Sequence, residues 1–280
     1  MKIRFIGQGY IGKNYADNFE SRGYDVIRYS LENEYINNKD KISECNITFI
    51  AVPAPTTSNG FDCSAVSEAL KLIKNDKIAV IKSAVIMGTT ESLQKENPDI
   101  FVMHSPEFLR EATARHDTDN PSRNIIGIPN MSDEYLEKAR QVMSILPKSN
   151  HEQIIKTKEA EMAKYVSNVF LTTKLVFFNT VYDLCVKSGI DYEKVKEGVI
   201  QDLRIGESHT KVINKKNNER GAGGNCFIKD LEAYLNYHKE NLGEDNGYEL
   251  LLSIRDKNVE LLRDSVKDKE ILEGVIGKIN

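Results

Sequence analysis

Residues 221–230 read Gly-Ala-Gly-Gly-Asn-Cys-Phe-Ile-Lys-Asp, with Lys229 and Asp230 three and four residues beyond Cys226. A thiol on a backbone that glycine leaves uncrowded can attack a carbonyl carbon. Cys226 has no Cys-x-x-Cys partner, so a metal site is not expected. A structural thiol in a tight turn is the plain alternative. A second constellation is Lys164 and Asn168 in Glu161-Met-Ala-Lys-Tyr-Val-Ser-Asn168. At i and i+4 of a helix they share a face, and an ammonium beside an amide can hold an oxyanion. A solvated lysine and a backbone-bonded asparagine is the competing reading. Glu107 and Glu111 lie in Ser105-Pro-Glu-Phe-Leu-Arg-Glu111. On a helix they too share a face and can take a proton or place a water; an exposed acidic pair is the alternative.

Near the amino terminus stands Gly7-Gln-Gly9-Tyr10-Ile11-Gly12. It follows an apolar strand and opens a helix, the context a dinucleotide-binding turn needs. Gly7 permits the tight turn, Gly9 the approach of a pyrophosphate, and Gly12 close packing of helix on strand. The acid that usually ends the second strand is missing. Tyr29 and Ser30 hold that place, with Arg28 beside them, so NAD is expected and NADP stays open. Val52-Pro53-Ala-Pro-Thr-Thr57 and Lys82-Ser83 follow later strands, where cofactors sit at the sheet's carboxyl edge.

These residues need a scaffold. Apolar runs at 2–6, 24–29, 47–52, 78–82, 101–104 and 124–128 alternate with helical stretches such as 63–75. That alternation predicts an α/β domain, a Rossmann-like parallel sheet with helices on both faces, over residues 1–150. Residues 151–280 read as a mainly helical domain with one long central helix at 159–187. Shorter helices are expected at 190–201, 230–240 and 247–265, with a polar loop at 202–220 before the glycine turn. Asn168, Lys174, Asn179 and Asp183 interrupt the long helix, which reads as a buried helix too polar to span a bilayer. Its apolar residues cover more than one face, which points to a homodimer.

With 280 residues, 40% hydrophobic, 29% charged and a net charge of −4, the composition is that of a soluble globular protein. The charge gives no reason to expect nucleic acid or a membrane as partner. Four scattered cysteines fit reduced thiols and a cytoplasmic location, and no signal-peptide pattern precedes the first strand.

Taken together and in order, these segments resemble the UDP-glucose/GDP-mannose dehydrogenase family over nearly the whole chain. The resembling blocks are the glycine turn at 7–12, the proline segment at 52–57, Lys82 to Thr90, Pro106 to Glu111, Glu161 to Asn168, and the cysteine block at 221–230. Arg204-Ile-Gly-Glu-Ser-His-Thr210 looks closer to the UDP-glucose 6-dehydrogenases. The resemblance implies a nucleotide-sugar substrate, NAD, and a four-electron oxidation through a thioester on Cys226. It implies that Lys164 and Asn168 stabilise oxyanions, that Glu107 and Glu111 act as base and water-positioning groups, and that Asp230 assists hydrolysis. Gly7, Gly9, Tyr10, Ile11, Gly12, Ser30, Val52, Pro53, Thr57, Ser83 and Glu111 would meet the cofactor. Phe108, Leu109, Arg204, Gly223 and Lys229 would meet the substrate. The long helix would form the core of a homodimer. Ala84 stands where the family has threonine, and Ile228 where it has proline. A third, nucleotide-binding domain is not expected in this sequence, which stops at Asn280. A two-domain β-hydroxyacid dehydrogenase and a non-catalytic descendant are the alternatives; the cysteine block speaks against the first.

Overall fold

The computed structural model describes residues 2–58, 60–214 and 218–277. Two compact units divide it, Met1–Pro55 with Asp62–Lys164, and Thr56–Phe61 with Tyr165–Asn280.

In the first unit, short runs of β-branched and aromatic residues form strands whose both faces are covered. Its elements are β1 (Lys2–Ile6), α1 (Tyr10–Ser21), β2 (Asp25–Tyr29) and β3 (Ile47–Ile50). A two-stranded hairpin, β4 (Thr56–Thr57) and β5 (Gly60–Phe61), interrupts it and belongs to the second unit. Then come α2 (Ser64–Leu70), β6 (Ile78–Ile81), α3 (Thr89–Glu96), β7 (Phe101–His104), α4 (Ala114–Asp119), β8 (Asn124–Ile128), α5 (Asp133–Ile145) and β9 (Glu152–Lys156). The sheet order is β2-β1-β3-β6-β7-β8-β9. The pairings from β2 through β7 are parallel, β7 and β8 run antiparallel, and β8 pairs β9 in parallel. The core stacks Phe5 on Phe49, centroids 4.9 Å apart, with Phe19 of α1 tilted against both. Strand β9 is absent from the sequence reading, because Glu152-Gln-Ile-Ile-Lys156 is an edge strand with only two partly buried apolar residues. Its pairing to β8 moves the division between units past 150 and into the following helix.

That helix, α6 (Thr157–Ser188), runs 32 residues, about 48 Å at 1.5 Å per residue. In the second unit follow α7 (Tyr192–Val199), α8 (Gly224–Leu242), α9 (Asn246–Asp264) and α10 (Lys269–Ile276). Phe178 and Cys185 of α6 pack with Tyr192 and Val212, while Ile228, Leu262, Leu272 and Val275 join α8, α9 and α10. By length and composition alone α6 is apolar enough to cross a membrane, with a mean hydropathy of 1.4 over its most apolar eighteen residues. This corrects the expectation that its polar residues exclude a span. Buried Asn168, Thr172 and Asn179 accompany Phe178 and Cys185 on its packed side, as in the core helix of a folded domain. Its opposite side exposes Val166, Phe170, Phe177 and Leu184.

Helix α8 begins at Gly224 rather than at 230, which puts Cys226 in its first turn. No element was expected after 265, yet α10 packs on α8 and on β4, and Ser58 N–H bonds the Gly274 carbonyl at 3.3 Å. Burying Leu272 and Val275 contributes roughly 1.5–3 kcal/mol each. Residues 215–217 of the expected polar loop lie outside the described residues.

Candidate active site

Gly7 has φ +92°, and a Cβ there would lie 2.2 Å from the Ala51 carbonyl oxygen. A Cβ on Gly12 would lie 2.0 Å from the Gly7 oxygen. Both positions therefore exclude any side chain. Gly9 differs: nothing lies within 4 Å of its Cβ position. It is the N-cap of α1, without a side-chain cap and without an acid in the first turn, so no capping side chain closes the helix that starts at Tyr10. This cradle fits a dinucleotide pyrophosphate. At the neighbouring loops, Ser83 Oγ donates to the Val52 carbonyl at 2.7 Å, tying the ends of β3 and β6 together beside exposed Pro53. Thr57 lies in the hairpin of the second unit, where its Oγ1 donates to the Gly60 carbonyl. At the end of β2, Ser30 Oγ accepts the Glu32 N–H. Arg28 is held by Asp17 at 2.5 Å and Glu20 at 2.7 Å. Its charge is thus already matched by two carboxylates, which removes the reason to assign it a 2′-phosphate.

Residues 105–110 are irregular, and a short 3₁₀ turn begins only at Glu111. The expected shared face of Glu107 and Glu111 is therefore absent. Glu107 is buried, whereas Glu111 is exposed. Lys164 Nζ donates to Glu107 Oε1 and to its carbonyl oxygen, both at 2.8 Å. Glu107 Oε2 accepts the Leu109 N–H at 2.7 Å. Phe108 carries the Arg123 guanidinium over its ring at 3.6 Å.

Lys82, not singled out in the sequence for any role, lies beneath this turn. Its Nζ donates to Ser105 O at 3.2 Å and Oγ at 3.1 Å, and sits 4.2 Å from the Tyr15 ring centroid. Burial pushes its ammonium down to about 7, with the Glu107 charge opposing. Burial, reinforced by Lys82 and Lys164, pushes the adjacent His104 down to about 3. Glu161 accepts the N–H groups of Gly88 at 2.6 Å and Thr90 at 2.9 Å. Gly88 is the N-cap of α3 and has no side chain of its own, so Glu161 closes that helix from a distance. Burial raises the Glu161 carboxyl to about 7 against these hydrogen bonds.

In the second unit, Asn168 Nδ2 donates to Asp230 Oδ2 at 2.5 Å, and Lys229 Nζ lies 2.5 Å from Asp230 Oδ1. Asp230 has no accessible surface, while Cys226, one turn earlier on α8, is partly buried. Gly223 needs its missing side chain for an internal reason: a Cβ would sit 2.0 Å from Asp268 Oδ2. Arg204 points outward, 90% exposed, bonded to Asp202. Among the described residues no three His, Cys, Asp or Glu side chains group so as to hold a metal ion.

A dinucleotide cradle on a Rossmann-like sheet, a long helix and a cysteine at a helix start have counterparts among known proteins. Residues 28–146 match the NAD-binding domain, and residues 158–260 the central domain, of the UDP-glucose/GDP-mannose dehydrogenase family. The chain belongs to that family. It is 36% identical over 212 residues to UDP-glucose 6-dehydrogenase TuaD of Bacillus subtilis, covering 71% of this chain and 43% of the relative. A UDP-glucose dehydrogenase structure from Pyrobaculum islandicum superposes with a TM-score of 0.78 at 25% identity, over 95% of this chain and 71% of that one. A UDP-D-ManNAc dehydrogenase from Pyrococcus horikoshii shares the fold, with a TM-score of 0.78 at 23% identity over 94% and 69%. The chain spans about half the length of the curated relatives it matches.

Proposed function

We propose that this chain oxidises the C6 alcohol of a nucleotide sugar, UDP-glucose first among them, to the uronic acid. NAD, when bound, takes up one hydride in each of two oxidations. The first converts the alcohol to an aldehyde and releases a proton. The Cys226 thiol then adds to the aldehyde carbon, giving a thiohemiacetal, whose oxidation leaves a thioester. Water adds to the thioester carbon, the C–S bond breaks, and carboxylate and thiol are released. The balance is one alcohol, two NAD and one water to one carboxylate, two NADH and three protons.

The observation that carries this reading is the Asn168–Asp230 hydrogen bond, which fixes an amide and a carboxylate on the face of α8 that bears Cys226. Asn168 would hold the developing oxyanion together with Lys164, one turn earlier on α6. Asp230 would orient the hydrolytic water. Glu107 keeps Lys164 paired, and Glu111, which is exposed, would place water or meet the cofactor. Tyr10, Ile11, Val52, Pro53, Ser30 and Ser83 would line the cofactor; Phe108, Leu109, Arg204, Gly223 and Lys229 the sugar nucleotide.

The exposed apolar residues Phe170, Phe177 and Leu184 recur every seven positions of α6, which supports a homodimer built on this helix. Four cysteines, none in a disulfide, support a reducing, cytoplasmic setting.

The test is stoichiometric. A panel of nucleotide sugars is offered with NAD or NADP, and reduced nicotinamide is counted per sugar consumed. Two equivalents, lost in Cys226→Ser, are expected. One equivalent would show a single hydride transfer, and none in any combination would show a protein without this activity.

A further inference from the structure

The backbone of the turn before Cys226 is gripped by side chains from one later segment. Asn258, 3% exposed, takes the Ala222 N–H on Oδ1 at 2.7 Å and donates Nδ2 to the Ala222 carbonyl at 2.9 Å. Ser265 Oγ meets the Arg220 N–H at 3.1 Å. Lys267 Nζ donates to the Gly221 carbonyl at 3.1 Å. Asp268 Oδ2 accepts the Gly224 N–H at 2.7 Å. Helix α8 has Gly223 as N-cap and therefore no local cap. Asp268 supplies the missing acceptor across 44 residues. It does so from a strained turn: Val266 and Asp268 both hold positive φ, 54° and 52°, in a region non-glycine residues rarely occupy. The Ala222 and Gly224 N–H groups of this turn are thus already taken by side chains.

We propose that Asp268 is a positioning residue for Cys226, a distant N-cap that fixes the turn from which the thiol projects and places a negative charge at the start of its helix. The proposal rests on Cys226 being the nucleophile, but it can be read without turnover. Strain at 266–268 is retained because the contact holds α8 in register at its first turn, where Cys226 is the third helical residue. The charge opposes the partial positive charge of the helix amino terminus.

Two variants separate these effects. Asp268→Asn keeps an acceptor and tolerates the left-handed backbone, but removes the charge. Asp268→Gly keeps the backbone and loses both acceptor and charge. The readout is the pH profile of iodoacetamide alkylation at the Cys226 peptide in the full chain, followed by mass spectrometry. With Asn the profile moves about half a pH unit to lower pH. With Gly the same shift appears, and kcat for nucleotide-sugar oxidation falls at least tenfold while KM changes less than threefold. A wild-type alkylation profile in the Asn variant overturns the proposal, as does unchanged kcat in a folded Gly variant of an active enzyme. If the wild type oxidises no nucleotide sugar, the functional reading fails, and the alkylation profile still decides on Asp268.

Discussion

Asn168 of α6 donates its side-chain amide to Asp230 of α8 at 2.5 Å, and Asp230 has no accessible surface. A buried carboxylate bonded on one oxygen by an amide and on the other by Lys229 is fixed in direction. Under the proposed reaction it governs the last step. Asp230→Asn is expected to slow thioester hydrolysis by about 10²-fold or more while leaving the first oxidation faster than the last. Intact mass of the quenched enzyme checks this: an acyl adduct on Cys226 accumulates in the variant and not in the wild type. Equal kcat in both would remove Asp230 from the reaction.

Glu107 and Lys164 are 3% and 5% exposed at their side chains and pair at 2.8 Å. Removing one partner leaves an uncompensated buried charge, which costs about 3–5 kcal/mol. Lys164→Met alone is expected to destabilise the fold by that order, and Lys164→Met with Glu107→Gln to recover much of it. Urea unfolding of the two single variants and the double closes the cycle. Strict additivity would mean that the pair is not coupled.

His104 is buried, and its ring nitrogens make no hydrogen bond of ordinary geometry, with the Ile81 backbone as a weak partner. Its folded pKa of about 3 lies below the ordinary 6.5. Between those values the unfolded chain binds a proton that the folded chain refuses, so stability falls as pH drops from 6.5 towards 3. Glu161, raised to about 7, acts oppositely between 4.5 and 7. Comparison of His104→Leu with wild type cancels the Glu161 contribution. The variant is expected to be more stable at neutral pH by about 1–3 kcal/mol, with the difference widening in acid. Unfolding midpoints at pH 7, 5.5 and 4.5 measure it; parallel curves would contradict the shift.

Phe177 is 59% exposed, midway between Phe170 and Leu184 on the outward face of α6. If this stripe is the dimer seam, Phe177→Glu turns the chain monomeric while a far-UV spectrum stays helical. Light scattering at micromolar concentration reads the mass. A monomeric wild type would refute the dimer outright.

Only local features were legible in the chain before it folded. The glycines at 7 and 12 stand where any Cβ would strike backbone, and the apolar runs at 2–6, 47–52 and 78–82 read as covered strands. The cysteine block, Lys164 and Asn168 were visible because their spacing is short. Tertiary structure decided everything that joins distant segments. Burial separated Glu107 from Glu111 and gave Glu107 to Lys164, 57 residues away. Edge pairing with β8 made a strand of Glu152–Lys156, which carries little apolar signal. The caps are the clearest case. Gly88 and Gly223 open helices with no side chain to cap them, so the acceptors had to come from Glu161 and Asp268, 73 and 44 residues from the N–H groups that they receive at Gly88 and Gly224. Hydrogen bonds at that separation leave no periodicity in a sequence; only the packed chain brings donor and acceptor together.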